Sequence, residues 1–211
     1  MNSARALTYP LLVTSGALAV IAAWVPFGDI DQVSALAVVA IAVVGFTAYQ
    51  LGLAFGVVPS GLVATGTVRG HRIRQQHRLV SRSWLEISSG DRVVWLPVFY
   101  DAALATLVPT ELELTGKAVL DGATRFYPSG RVRTSEPPGK LVDNPSRPSP
   151  PPQYGIGRRL ILDVQPAIGA PLVGLLWVYV MGGGIGAFVG ATTVAAAGFT
   201  WLSAIRGSDP S

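Results

Sequence analysis

His71 and His77 are the two histidines of the chain, six residues apart in a segment, Gly70 to Arg82, that also holds Arg72, Arg74, Arg78 and Arg82. Zinc takes three or four ligands. The chain has no cysteine to complete such a set, and the guanidinium groups around the imidazoles oppose a divalent cation. The chemistry the segment does offer is contact with anions. A cytoplasmic leaflet attracts juxtamembrane basic residues by about 1 kcal/mol each, so Arg69, Arg72, Arg74, Arg78 and Arg82, with Arg158 and Arg159 further on, are candidate contacts for anionic headgroups or a partner protein. The bland alternative is a solvated strand or loop whose charges only enforce topology. No nucleic-acid module accompanies the patch, and nucleic acid is not an expected partner.

Two serines stand in nucleophile-like surroundings, Pro59-Ser60-Gly61 and Pro128-Ser129-Gly130. Neither lies in Gly-x-Ser-x-Gly, and both read as turns. No catalytic residue, metal site or cofactor is expected, and the chain reads as a non-enzyme. The glycines carry another kind of chemistry. Gly182, Gly186 and Gly190 form GxxxGxxxG, extended by Ala191, Ala195 and Gly198; Gly52-x-x-x-Gly56 follows Gly45. Small residues four apart let a second helix approach closely where lipid removes the hydrophobic drive. The partner is either another helix of this chain or a different membrane subunit.

The elements that position these residues are set by charge. Ala6 to Gly28, Gln32 to Val68 and Val164 to Ile205 hold 23, 37 and 42 residues without a single charge. A span needs about 20 apolar residues for a core of roughly 30 Å. The first two stretches therefore hold one helix each, from about Pro10 to Val25 and Val33 to Val58. The third holds two, turning at Gly182-Gly183-Gly184. Of 16 basic residues, Arg5 precedes the first span, Arg206 follows the fourth and 14 lie between the second and third. The positive-inside rule places both termini and the central domain in the cytoplasm of a bacterial plasma (inner) membrane. A cleaved signal peptide over residues 1–24 competes, but the apolar run is long for one and cleavage would split the basic residues between two sides.

Between the spans the pattern changes to short strands. Leu62 to Arg69, Trp84 to Ile87, Arg92 to Tyr100, Glu111 to Leu120, Ala123 to Tyr127 and Arg131 to Thr134 are candidates, separated by Ser89-Gly90-Asp91, Asp121-Gly122 and Ser129-Gly130. They predict a small antiparallel barrel, SH3-like or OB-like, with Trp84, Trp95 and Phe99 in its core. Pro137 to Pro152 holds seven prolines in 16 residues and predicts an extended linker without a ladder; Arg147-Pro148-Ser149-Pro150-Pro151 could also serve as a docking ligand. Ile156, Leu160, Ile161 and Val164 predict an interfacial start to the third span. The expected organisation is two transmembrane helices over 1–60, an all-β cytoplasmic domain over 61–135, a Pro-rich linker over 136–155, and two further helices with a short tail over 156–211.

Three segments, Ser3-Ala4-Arg5-Ala6-Leu7-Thr8-Tyr9-Pro10, Tyr127-Pro128-Ser129-Gly130-Arg131-Val132-Arg133 and Glu136-Pro137-Pro138-Gly139-Lys140-Leu141-Val142-Asp143, give the chain a pattern that resembles small actinobacterial, especially mycobacterial, membrane proteins. Among these it looks like the accessory membrane subunit of MCE-type lipid-uptake transporters. The resemblance implies assembly, stabilisation or regulation of a lipid importer whose permease, ATPase and binding subunits are other chains, and it transfers no catalytic residues. Absence of ionisable residues within the spans argues against an independent transporter. The alternative function is a membrane-anchored sensor or adaptor whose basic β domain binds anionic lipid headgroups or a cytosolic protein.

Overall fold

The computed structural model describes residues 5–62, 65–77, 79–89, 92–115, 118–143 and 153–211. Helix α1 (Arg5–Trp24) begins earlier than expected, with Pro10 inside it, and passes through a 3-10 turn at Val25–Phe27. Helix α2 (Ile30–Phe55) is opened by Asp29, whose carboxylate accepts the Gln32 N–H at 2.8 Å. Such a cap satisfies one of the amides that a helix start leaves free. It ends at Gly56, in the left-handed conformation with φ 72°, which donates back to the carbonyls of Gly52 and Leu53.

After the β domain come α3 (Ile156–Asp163), a 3-10 turn at Gln165–Gly169, α4 (Ala170–Met181) and α5 (Gly184–Ile205). Alone, α4 is about 18 Å long; with the preceding turn, which adds about 10 Å, it reaches the thickness of a hydrocarbon core. The break before α4 follows from Pro166 and Pro171, which cannot donate main-chain hydrogen bonds. Gly182, Gly183 and Gly184 all have positive φ (75°, 97° and 65°), so the reversal between α4 and α5 is built from three residues in a region that side chains disfavour.

The segments Ala6–Phe27, Ile30–Phe55, Ile156–Met181 and Gly184–Ile205 are four helices long and apolar enough to cross a membrane. They carry large apolar side chains outward, with Tyr179 88% and Ile185 83% exposed. Helix α5 is the axis: α1 and α4 pack along it, while α2 meets it more loosely. Ala17 and Ile21 of α1, Val43 of α2, and Trp201 and Ile205 of α5 form the shared core, and the Trp201 indole donates to Thr47 Oγ1 at 3.1 Å.

The intervening domain is a curled antiparallel half-barrel. Its strands are β1 (Thr65–His77), β2 (Val80–Ser89), β3 (Arg92–Val98), β4 (Thr110–Thr115), β5 (Val119–Asp121), β6 (Thr124–Phe126) and β7 (Lys140–Asp143). The order is β3-β2-β1-β4-β5-β6, and β7 joins β1 on the same edge as β4. The 13-residue β1 runs directly through the basic segment, pairing Gly70 with Ile87 and Arg72 with Leu85. Leu85, Ile87, Leu96, Val98, Leu112, Leu114, Val119 and Phe126 fill the concave face, with Leu104 and Leu107 from the turn after β3 packed on them.

Three expectations are revised. Arg131 to Thr134 is not a strand: isolated bridges, Val98 with Pro128 and Trp95 with Arg133, lay the chain after β6 against β3. Ser129-Gly130 therefore makes no hairpin. Part of the expected linker does form a ladder, because Lys140–Asp143 lies between prolines and contains none, leaving its amides free to pair with Ile73 to Gln76. The Arg147 to Pro151 motif lies outside the described residues.

Gly174 of α4 lies directly against α5. A Cβ there would stand 2.1 Å from Thr192 Oγ1 and 3.0 Å from the Phe188 carbonyl oxygen. Gly174→Ala should force α4 off α5 and lower stability in detergent by about 1–3 kcal/mol, as overpacked interiors do. A thermal melt equal to that of the wild type would refute this tight contact.

Candidate functional site

Strand alternation places Val68, Gly70 and Arg72 on one face of β1, so a guanidinium follows two core positions into the half-barrel. A buried charge is tolerated only when paired and hydrogen-bonded. The partner comes from the segment just past α5. Asp209 Oδ2 lies 2.5 Å from Arg72 Nη2, with the two side chains 0% and 1% exposed. Ser83 Oγ donates to the same carboxylate oxygen at 2.7 Å, and the Ser211 amide and hydroxyl donate to Oδ1 at 2.9 and 2.7 Å. Arg74 donates to the Ser211 main-chain oxygen. The main chain joins in, since the Asp209 amide donates to the Ser81 carbonyl at 2.9 Å.

A second polar group lies beside the first. Asp163, at the end of α3 and 2% exposed, accepts from Tyr9 Oη at 2.6 Å and from Ser208 Oγ at 2.9 Å. Arg159 lies over the Tyr9 ring at 3.8 Å and near the Tyr100 ring at 5.7 Å. Arg158 covers Tyr154 and donates to the Pro210 carbonyl at 3.3 Å. Helix α3 thus turns Arg159 and Asp163 toward the protein, while Ile156, Leu160 and Ile161 are exposed.

Apolar contacts complete the junction. Phe99 and Tyr127 of the domain pack with Ala6 and Leu7 of α1 and Ala54 of α2. Gln50 of α2 donates to the Ser129 carbonyl at 3.1 Å and the Ile205 carbonyl at 3.3 Å. Gly207, with φ 78°, passes so close to Ser129 that a Cβ would meet its Oγ at 2.6 Å. Phe99, expected in the barrel core, instead joins the domain to the helices.

Burial raises the Asp209 carboxyl, but Arg72 and the hydrogen bonds from Ser211 and Ser83 outweigh burial and hold it below the usual carboxylate range. Burial, then the Asp209 charge, pushes the Tyr100 hydroxyl up, so it stays a neutral phenol.

The sequence-selected arginines therefore divide. Arg72 is a structural cation and cannot face headgroups, because β-strand alternation turns it inward. Arg74, Arg158 and Arg159 are tied to the junction. Arg69 is exposed on the sheet, in register with Glu111. Arg82 opens onto a cleft at the side of the junction. Arg78 lies outside the described residues. His71 and His77 are on β1, and among the described residues no group of three His, Cys, Asp or Glu side chains could hold a metal.

The glycines divide as well. Gly56 is the cap of α2, and a Cβ on Gly52 would stand 2.8 Å from Val58 of the returning chain, so within this chain both glycines serve the end of the helix. Gly182 lies beyond α4 and shares no helical face with Gly186 and Gly190. Gly190 lies against Trp24, whose ring a Cβ there would meet at 3.2 Å. Gly45, Gly186 and Gly198 have open space where a Cβ would be. Gly186, Gly190 and Gly198, with Ala187, Ala191 and Ala195, floor an apolar groove of about 490 Å³ walled by α2 and α4 and closed at one end by Trp24 and Phe27. Sequence reasoning missed Gly174, Tyr9, Asp163 and Asp209. The signal for Asp209 was the inward phase of Arg72 along β1.

Comparison with known proteins gives no matching protein-family model, no matching curated protein and no matching solved structure.

Asp209→Asn strands the Arg72 charge and should destabilise the junction by about 3–5 kcal/mol, whereas Arg72→Met with Asp209→Leu should recover much of that loss. Thermal unfolding of the two variants measures the difference; a double variant as unstable as the single would contradict a charge-pairing origin. An Asp carboxyl ordinarily titrates near 3.8. Since the folded carboxyl is held lower, the stability from the pair is complete above that value and is lost as pH falls through the lower folded value. Acid titration of the wild type should show this loss, and Arg72→Met with Asp209→Leu should not.

Proposed function

We propose that the chain is a non-catalytic accessory membrane subunit whose four helices sit in a bacterial inner membrane and whose α5 groove receives a transmembrane helix of another subunit, of transporter-permease type. The observation that carries this reading is the groove itself. Within hydrocarbon, helices associate through close van der Waals contact, and backbone-flat floors of glycine and alanine supply it. Gly174 and Gly190 are occupied by this chain's own helices, while Gly186 and Gly198 are open. The resemblance of three sequence segments extends the reading to assembly or regulation of an MCE-type lipid importer.

The domain, the start of α1 and the end of α5 lie at one end of the bundle, as Tyr9, Asp163 and Ser208 require. The basic residues gather there, which favours a cytoplasmic domain with the Asp29 and Gly183 turns outside. In intact cells an impermeant thiol reagent should label Asp31→Cys and leave Glu136→Cys unlabelled. Labelling of Glu136→Cys would invert the orientation.

Gly186→Leu separates partner binding from folding. The side chain projects into open groove, so the variant should insert and melt like wild type yet lose co-purification with its complex in mild detergent. Retained co-purification would remove the groove as the interface.

A further inference from the structure

Beside the junction lies a second cleft, also of about 490 Å³, between the β1–β2 hairpin and the ends of the helices. Its walls bring together Arg82 of β2, Arg133 from the segment laid against β3, and Arg206 just past α5, with His77, Trp84 and Pro166. No carboxylate lines it, and the Arg72–Asp209 bridge is the one ion pair among the described residues. Burial, and then the charge of Arg206, pulls the Arg82 guanidinium down to about 10. Like charges thus meet in one cleft, with Arg82 partly desolvated and no carboxylate among the described residues that line it, an arrangement that an incoming anion stabilises.

We propose that this cleft binds the phosphate of an anionic phospholipid. Guanidinium forks match phosphate oxygens in charge and in paired hydrogen-bond geometry. The depth fits a lipid source: Pro166 lies on the turn that leads into α4, and Arg206 directly follows α5, so the cations sit where two apolar helices end. Leu79, at the hairpin tip and 51% exposed, lines the same cleft with Val80 and Trp84, offering apolar surface to the glycerol and upper acyl chain. The site is independent of the α5 groove, which lies on other residues.

Full-length protein in non-ionic detergent, examined by native mass spectrometry with dioctanoyl phosphatidylglycerol, tests the assignment. Dioctanoyl phosphatidylcholine and inorganic phosphate are the comparison probes. Phosphatidylglycerol should be retained at a concentration at least about tenfold lower than phosphatidylcholine, and Arg82→Gln with Arg206→Gln should abolish that preference. Arg92→Gln, which removes one arginine charge from the exposed far end of the sheet, should leave it intact. Preference that survives the double variant, or that is lost equally in Arg92→Gln, overturns the site. Inorganic phosphate that displaces the lipid at equal concentration overturns the lipid source in favour of a soluble phosphate. Should the double variant fail to fold, Arg133→Gln, at an exposed side chain, must weaken phosphatidylglycerol binding severalfold, and no effect there also overturns the site.

Discussion

A guanidinium inside a β half-barrel must have a counter-charge, and this requirement ties the two halves of the molecule together. Arg72 follows Val68 and Gly70 along the inward face of β1. Its partner, Asp209, is carried by the chain emerging from α5, and no other ion pair occurs among the described residues. Since only Arg206, Gly207 and Ser208 separate α5 from Asp209, the open end of the half-barrel is held at the end of that helix. The Gly207 turn against Ser129, the donation of Gln50 to the Ser129 carbonyl and the packing of Phe99 on Ala6 and Leu7 then follow as ways of filling the contact.

The second carboxylate extends the same logic to the helices. Asp163 is buried at the end of α3 and accepts from Tyr9 on α1 and Ser208 next to Asp209. One short segment, 207–211, therefore serves both acidic groups, Asp209 by carrying one and Ser208 by bonding to the other. Truncating one partner of such a network leaves a buried group unsatisfied, which costs more than the bond itself contributes. The domain is consequently fixed to the bundle through α1, α2, α3 and α5 together.

The helices were legible because hydrocarbon-facing segments exclude charge so completely that their limits appear as gaps in the charge pattern. The glycine turn between α4 and α5 was legible for a related reason, since three successive positive-φ residues leave little choice but glycine. The strand positions were partly legible through alternation and turn dipeptides. The sense of the basic run was not, because arginines on a strand were weighed as a group, as one solvated or headgroup-facing patch, whereas the pleat sends neighbouring residues to opposite faces. The run of prolines hid β7, whose four residues are ordinary strand material between two proline clusters. Tyr9, Asp163 and Asp209 stand singly in sequence and acquire meaning through long-range contacts, as the Tyr9–Asp163 separation of 154 and the Arg72–Asp209 separation of 137 illustrate.

The small residues of the helices show how one side-chain type can serve opposite ends. Where Gly174 meets Phe188 and Thr192, absence of a side chain is consumed by internal packing, and where Gly190 meets Trp24 it makes room for an aromatic ring. Gly52 and Gly56 are spent on ending α2. Gly52, Gly56, Gly186 and Gly190 all belong to spacings of four, so sequence spacing alone cannot say which glycine is free. What separates Gly186 and Gly198 is that α2 leans on α1 and meets α5 through Val43, Phe46, Thr47 and Gln50, leaving part of the α5 face uncovered between α2 and α4. A bundle with a looser fourth helix keeps a shared core that runs from Ala17 and Ile21 to Trp201 and Ile205, and leaves a small-residue floor open beside it. The clamp and the groove are thus two results of one division of contacts along α5.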